Sequence, residues 1–154
     1  MPKIQMPEWT RHRGGAKPIT GQDDGPYAEK VLGDLAGLTQ FGARLERLPP
    51  GSRSSHRHWH ETEDEFVFVV SGDLVLVEDT EIPLRAGDAA GWRAGEPIGH
   101  CLENRSDGDA VLLVIGTRAD SGAVHYPDHD VVLHHSESGR VFTRADGSEI
   151  TPKG

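Results

Sequence analysis

The sequence has a single cysteine, no long apolar run and no surplus of basic residues. Cys101 has no partner in the chain, which excludes an intramolecular disulfide and a cysteine-rich zinc module. The longest apolar runs, Phe66–Val70 and Ala110–Ile115, are too short to cross a bilayer. A net charge of −9 disfavours nucleic acid and anionic membranes as partners. Because no signal peptide is visible at the N-terminus, we expect a cytoplasmic location.

Helical periodicity is also missing, because no window of helix length repeats its apolar residues every 3.6 positions. The 154 residues contain 19 glycines and 10 prolines, set between short runs of β-branched and aromatic residues. This pattern is typical of a single all-β domain, either a sandwich or a barrel. The predicted strands are Phe41–Leu48, Arg53–His60, Glu65–Ser71, Leu74–Val77, Glu81–Arg85, Ala89–Trp92, Gly99–Glu103 and Ala110–Thr117.

The chain divides into three predicted parts. Residues 1–40 are poor in aliphatic residues and rich in glycine and proline, which predicts an extended arm without a central strand. Trp9 and Tyr27 are expected to hold this arm against the barrel, which spans residues 41–117. Residues 118–154 are predicted to be a C-terminal extension with two further short strands, over residues 130–134 and 140–144.

Two predicted strands are apolar on both faces, namely those over residues 65–71 and 110–117. A strand that is covered on both sides needs a second sheet, an arm or a partner subunit over its outer face. The N-terminal arm is one candidate for this cover. A second copy of the chain is the other, and we therefore expect a homodimer.

Four side chains form a pattern that is suited to a metal ion. His58 and His60 are two apart on a predicted strand, so they leave the same face. Glu65 opens the next apolar run, and His100 lies on a later strand. Three imidazoles and one carboxylate make a ligand set for a divalent first-row metal and leave positions open for water or substrate. The alternative is that His58 and His60 have no ligand role and that the polar run His56–Asp64 is a solvated loop.

The first half of this pattern resembles the first motif of the cupin superfamily. That motif is a glycine, then His-x-His, three or four residues, a glutamate, six residues and a glycine. Here Gly51 precedes His58 and His60, four residues lead to Glu65, and six more lead to Gly72. The lead-in from Gly51 to the first histidine is one residue longer than usual.

The second cupin motif is a glycine, five residues, Pro-x-Gly, two residues, a histidine, three residues and an asparagine. Gly87 is followed by five residues and then by Arg93-Ala94-Gly95, four residues lead to His100, and three more lead to Asn104. Arg93 replaces the proline, and the spacer before His100 is two residues too long. Both departures lie in the loop beside the predicted metal site, and neither removes a ligand.

The resemblance covers about residues 41–117 and implies a double-stranded β-helix, the jelly-roll barrel of cupins. It further implies that His58, His60, Glu65 and His100 hold one divalent metal ion, which would be iron, manganese, nickel or zinc. The stretch from Ser54 to Val77 and the tail sequence HYPDHD are also similar to small single-domain bacterial cupins.

Other polar residues near the motifs have alternative readings. Glu63 and Asp64 are rival carboxylates for Glu65, and the six-residue gap to Gly72 favours Glu65. His56 shares the strand face of the other histidines and is expected at the barrel mouth, in contact with solvent or substrate. The alternatives are that His56 is an alternate metal ligand or that it donates a hydrogen bond to a ligand residue.

Neighbours of the predicted ligands are expected to have structural roles. Cys101 and Trp59 each follow a ligand directly, so their side chains point away from the metal. Trp92 and Arg93 are expected to line the pocket, where Arg93 binds an anionic substrate or else lies on the surface. Asn104 is expected to fix a turn. The histidines of the tail, His125, His134 and His135, are expected to dock it onto the barrel.

Two classes of function follow from this site. The first is a metal-dependent enzyme of the dioxygenase, isomerase or lyase type that acts on a small molecule. The second is a non-catalytic module that binds a sugar or a carboxylate. A ligand sensor for transcription is disfavoured, because no helix-turn-helix domain fits in the first 40 residues. The fold by itself selects none of these reactions.

Overall fold

The structure is a computed structural model that describes residues 3–151. Over this range the chain forms β-strands and one short 3-10 turn, Asp34–Ala36, so the all-β prediction is confirmed. Among the described residues, none lies in a helix that is long and apolar enough to cross a membrane. The strands are β1 (Thr10–His12), β2 (Tyr27–Val31), β3 (Phe41–Leu48), β4 (Trp59–His60), β5 (Glu65–Ser71), β6 (Asp73–Val77), β7 (Glu81–Arg85), β8 (Ala89–Trp92), β9 (Cys101–Glu103), β10 (Ala110–Thr117), β11 (Gly122–Tyr126), β12 (Val131–Ser136), β13 (Gly139–Thr143) and β14 (Glu149–Ile150).

The strands form three antiparallel sheets that make the two walls of a sandwich. One wall has six strands in the order β1-β2-β3-β10-β5-β8. The other combines a five-stranded sheet, β14-β13-β12-β11-β4, with a three-stranded sheet, β7-β6-β9. Isolated bridges from Arg53 to Glu103 and from His58 to His100 connect the segment before β4 to β9. These bridges bring the edges of the two smaller sheets together.

The hydrophobic core lies between the six-stranded and the three-stranded sheets. Leu48, Val69 and Leu112 are fully buried on the first wall and pack with Leu74 and Leu102 of the second. Complete burial of each such side chain contributes about 1.5–3 kcal/mol to the free energy of unfolding. Val67, Trp92 and Leu102 of this core also line the cavity of the polar site described below.

The N-terminal arm differs from the prediction, because residues 1–40 contribute two strands to the six-stranded sheet. In β2, Ala28 pairs with Arg47 of β3, and β1 pairs in turn with β2. The prolines that argued against a strand lie outside β1 and β2, so nothing blocks the backbone hydrogen bonds there. Trp9 anchors the arm, since its ring lies 4.9 Å from Lys30 Nζ and 4.6 Å from the guanidinium of Arg47.

The strand that was predicted over residues 53–60 is shorter in the structure, where only Trp59–His60 form a regular strand. The preceding residues bridge singly to β9 and otherwise form turns and bends. The tail contains more strand than predicted, because β11 and β14 were not expected. Since β11 pairs with β4 and places Val124 opposite His60, the tail helps to position the site.

Candidate metal centre

Two of the four predicted ligands are held side by side by the backbone. The N–H of His58 donates to the carbonyl of His100 at 3.1 Å, and the N–H of His100 donates back at 3.0 Å. Their ring centroids are 4.9 Å apart. Residues that are 42 positions apart in the sequence therefore face the same space, and His60 follows on β4.

Glu65, the first residue of β5, is the centre of the cluster. Its Oε1 accepts hydrogen bonds from Nε2 of His58 at 3.1 Å and from Nε2 of His60 at 2.7 Å, and its Oε2 accepts one from Nε2 of His100. The donor atoms of His58, Glu65 and His100 all lie within 4.8 Å of one another. The structure thus brings the three predicted histidines within hydrogen-bond distance of one carboxylate, with His60 outside the group of mutually close donor atoms.

The backbone also sets which ring nitrogen faces the centre. Nδ1 of His58 donates to the carbonyl of His56 at 2.8 Å, and Nδ1 of His100 donates to the carbonyl of Ile98 at 2.9 Å. Both rings therefore present Nε2 to Glu65. Histidines that ligate metals are usually oriented in this way by a carbonyl on their other nitrogen.

The electrostatics of the cluster favour a cation. Burial alone would raise the pKa of Glu65, but hydrogen bonds from His100, His58 and His60 outweigh it and hold this pKa well below its ordinary range. For His58, burial acts to lower the pKa, and the hydrogen bond and charge of Glu65 reverse the effect, so the pKa is raised. A partly buried carboxylate that attracts three imidazoles is a donor set in which a divalent metal ion can replace the Nε2 protons.

The cluster lies at one side of a cavity of about 330 Å³. Trp92 forms part of its wall and stacks on His100, with ring centroids 3.7 Å apart and an interplanar angle of 2°. The other polar side chains on the wall are those of Arg44, Glu46, Ser54, Ser55, Tyr126 and Arg140. Burial raises the pKa of the Tyr126 phenol, so this group stays protonated at neutral pH.

A second cavity of about 420 Å³ lies beside the first, beneath the N-terminal arm. Both cavities are lined by Arg44, Glu46, Ser54, Ser55 and Tyr126. The two spaces therefore adjoin along this shared wall.

The three neighbouring carboxylates, Glu63, Asp64 and Glu65, differ in their positions relative to the histidines. Asp64 accepts a hydrogen bond from the backbone of Ala94 at 2.7 Å, which ties down the loop before His100. Glu63 stays beside the cluster, with Oε2 3.6 Å from Nδ1 of His60. Of the three neighbouring carboxylates, Glu65 is the one that contacts all three imidazoles.

The expectation that His56 lies at the barrel mouth and contacts only solvent or substrate is wrong. The residue is 6% exposed, and Nδ1 lies 2.7 Å from Oδ2 of Asp24 while Nε2 lies 2.6 Å from the hydroxyl of Thr20. Its partners come from the arm, which closes over this part of the barrel. His56 reaches the centre through its carbonyl, which holds the ring of His58.

The remaining neighbours have the structural positions expected of them. Cys101 is 1% exposed, and Trp59 stacks on His125 with ring centroids 4.0 Å apart. Asn104 is buried, and its amide donates to the carbonyls of Leu48 and Gly108. The asparagine therefore ties the end of β3 to the turn that follows β9.

The tail histidines make separate contacts with the rest of the chain. Nε2 of His125 lies 2.6 Å from Oε1 of Glu61, and Nε2 of His135 lies 3.8 Å from Oε1 of Glu63. His134 instead contacts Thr143 within the tail. Two of the three expected docking residues thus touch the barrel.

Arg93 does not line either cavity. Its side chain is 87% exposed and pairs with Glu96, so the surface alternative describes it. The arginines that do line the metal-site cavity, Arg44 and Arg140, were not singled out from the sequence. The alternation of β3 places Arg44 and Glu46 on the same face as the buried Leu48, and two charges on a core face were the available signal.

Comparison with known proteins agrees with this geometry. The model of the cupin domain family matches residues 44–116. A crystal structure from Silicibacter pomeroyi, described as a sugar phosphate isomerase from a cupin superfamily, is 42% identical, with 97% of each chain covered and a TM-score of 0.84. A protein from Acidithiobacillus ferrooxidans, provisionally described as a sugar phosphate isomerase, is 29% identical over 83% of this chain and 82% of its own, with a TM-score of 0.77.

A more distant similarity extends to a predicted oxalate decarboxylase from Thermotoga maritima. It is 22% identical over 76% of this chain and 99% of its own, with a TM-score of 0.60, and it supports the fold alone. No curated protein sequence matches the chain. The two motifs, the jelly-roll sandwich and the 42% identical relative together confirm the predicted family: this chain belongs to the cupin superfamily.

Proposed function

We propose that the protein is a metal-dependent isomerase of a small phosphorylated sugar. The observation that carries this proposal is the 42% identity, over 97% of both chains, to a cupin described as a sugar phosphate isomerase. Among the reaction types open to a three-histidine, one-glutamate centre, it favours isomerisation over oxygen chemistry and over decarboxylation.

The residues of the cluster fit a resident metal ion. His58, His60 and His100 would supply imidazole nitrogens, and Glu65 would supply a carboxylate oxygen, a set that suits iron, manganese, nickel and zinc. When bound, such an ion supplies Lewis acidity toward a carbonyl or hydroxyl oxygen of a sugar. The carbonyls of His56 and Ile98 fix the orientation of two of the imidazoles.

The other groups of the cavity would hold and orient the sugar. An aldose and a ketose differ by the position of one hydrogen on neighbouring carbons and one on their oxygens, so the ring-opened sugar has to stay fixed during the shift. The protonated phenol of Tyr126 would donate a hydrogen bond to a sugar oxygen. Trp92, stacked on His100, would exclude water from the apolar side of the cavity.

Metal content and turnover test this proposal together. The full chain, purified without a polyhistidine tag, is assayed by elemental mass spectrometry beside the His58→Ala/His60→Ala double variant. Each protein is then offered ribose 5-phosphate, arabinose 5-phosphate, glucose 6-phosphate and mannose 6-phosphate in D₂O, and proton NMR follows the appearance of the ketose. We expect about one ion per chain and isomerisation in the parent, with neither in the variant.

Two results would count against the proposal. A parent that takes up none of the four metals would reject the metal centre. A metal-loaded parent that binds these sugars without converting them would favour the alternative, a non-catalytic module for sugars or carboxylates.

We also propose a homodimer and a cytoplasmic location. A second copy would cover the outer face of β5, where Phe66, Phe68 and Val70 are 42%, 37% and 47% exposed. The single free thiol of Cys101 suits a reducing compartment.

A further inference from the structure

The metal-site cavity is the cavity of about 330 Å³ beside the cluster. Two arginines on its wall have guanidinium nitrogens without hydrogen-bond partners among the described residues. Nε of Arg44 donates to Oε2 of Glu46 at 3.2 Å, and its two terminal nitrogens make no hydrogen bond within residues 3–151. Arg140, on β13, lines the same cavity, and its side chain forms no ion pair or hydrogen bond with any residue in that described range. Guanidinium groups with free donors are suited to planar recognition of phosphate.

Glu46 is the second observation that points to a ligand. This residue is 2% exposed, yet Oε1 is buried without any hydrogen-bond partner in the described part of the chain. A buried carboxylate oxygen without a donor is costly unless a bound molecule supplies one. The side chain lines both cavities, so this oxygen lies in the wall of the space that a ligand would occupy.

The charges on this wall also suit an anion. Burial raises the pKa of Glu46, and the charge of Arg44 opposes this rise. Glu29, which pairs with Glu46 across β2 and β3, adds to this rise and is itself close to His12. The wall thus combines two guanidiniums, of Arg44 and Arg140, with the carboxylates of Glu46 and Glu65, in a chain whose net charge is −9.

We propose that Arg44 and Arg140 form a phosphate subsite in the metal-site cavity, with Glu46 orienting the guanidinium of Arg44. The choice of a phosphate ester over other anions rests on the proposed function. The subsite fixes one end of the substrate, so that the carbonyl end faces His58, His100 and the other cluster residues. Glu46 acts through Arg44 and is a positioning residue.

Binding of inorganic phosphate to the full chain tests the subsite directly. Isothermal titration calorimetry is run after a chelator has removed metal, so that phosphate cannot be held by an ion. The Arg140→Met variant removes an exposed side chain and is expected to fold. The Arg44→Met/Glu46→Gln double variant removes the arginine without leaving a buried carboxylate uncompensated. Arg93→Met is the control, because this exposed arginine is the one that the sequence motif indicated.

We expect each of the first two variants to weaken phosphate binding about tenfold or more, and Arg93→Met to leave it unchanged. The metal-loaded parent should bind ribose 5-phosphate more tightly than ribose, and Arg140→Met should abolish this preference. In turnover, Arg140→Met should raise KM far more than it lowers kcat. Metal content should stay at the parent level in every variant.

Several results would overturn the subsite. These are equal phosphate binding by the parent and both variants, a loss in Arg93→Met of the same size, or a parent that binds neither phosphate nor ribose 5-phosphate. The two proposals fail separately. Loss of phosphate affinity in the variants of a parent that isomerises no sugar phosphate would keep the subsite and reject the isomerase. Isomerisation with an unchanged KM in both variants would keep the isomerase and reject the subsite.

Discussion

Replacement of His100 by alanine should separate the packing role of this residue from its role at the metal. In the metal-free protein, His100→Ala removes a stacked contact with Trp92, worth about 0.5–1.5 kcal/mol, and the hydrogen bond to the carbonyl of Ile98. It also removes a charge-assisted hydrogen bond to Glu65, worth about 1.5–3 kcal/mol. We expect the free energy of unfolding to fall by about 3–5 kcal/mol, which leaves a domain in the middle of the ordinary stability range, about 10 kcal/mol, folded.

Bound metal makes a second contribution to the free energy of unfolding, which can be measured separately from packing. An ion that binds only the native state stabilises it by about 2.7 kcal/mol at a free concentration of 100 times Kd. For a domain of this size that corresponds to a rise in Tm of about 5–10 °C. The parent should show this rise on addition of manganese or zinc, and His100→Ala should lose most of it. Circular dichroism melts with and without metal measure both terms.

His125→Ala is the matched control. His125 also stacks on a tryptophan, Trp59, and contacts a carboxylate, Glu61, but it lies outside the cluster. Its loss should lower the Tm while the increment on adding metal stays intact. If His100→Ala keeps the same metal increment as His125→Ala, then His100 is a core residue and the ligand assignment is refuted. A His100→Ala protein that does not fold would also contradict the reasoning.

Three further predictions concern the rest of the fold. Burial raises the pKa of Cys101 to about 11, so a thiol reagent at neutral pH should label this residue only as fast as the protein unfolds. Immediate labelling of the native protein would contradict this prediction. Gly72→Ala should destabilise the protein by about 1–3 kcal/mol more than Gly87→Ala in urea melts. Both glycines have positive φ, 84° and 93°, but of the two only Gly72 would place a Cβ 2.6 Å from a backbone oxygen. Multi-angle light scattering should give a dimer for the parent and a monomer for Phe68→Lys, and a monomeric parent would reject the proposed interface.

The four cluster residues were predictable because each belongs to a local pattern. His58 and His60 are fixed by the two-residue period of an extended chain, and their spacing to Glu65 and Gly72 spans one turn and one strand. The family resemblance then connected them to His100. The all-β class was likewise predictable, since short runs of β-branched residues between glycines and prolines leave few alternatives.

The arm was misjudged for a physical reason. Its sequence is weak in apolar residues, and local preference alone leaves it without a strand. In the folded chain the exposed edge of β3 offers unpaired backbone groups, and Tyr27–Val31 satisfies them by pairing there. His56 was misplaced for the same reason, because its partners Thr20 and Asp24 arrive with the arm.

The sequence by itself determined the fold class, the family and the identity of Glu65 and the three histidines around it. Only the tertiary structure decided which other side chains share a cavity with these residues. Arg44 and Arg140 are 96 positions apart, and their meeting in one cavity depends on how β3 and β13 are placed by their sheets. A motif records residues that are close along the chain, whereas the wall of this cavity is built from strands that only folding brings together.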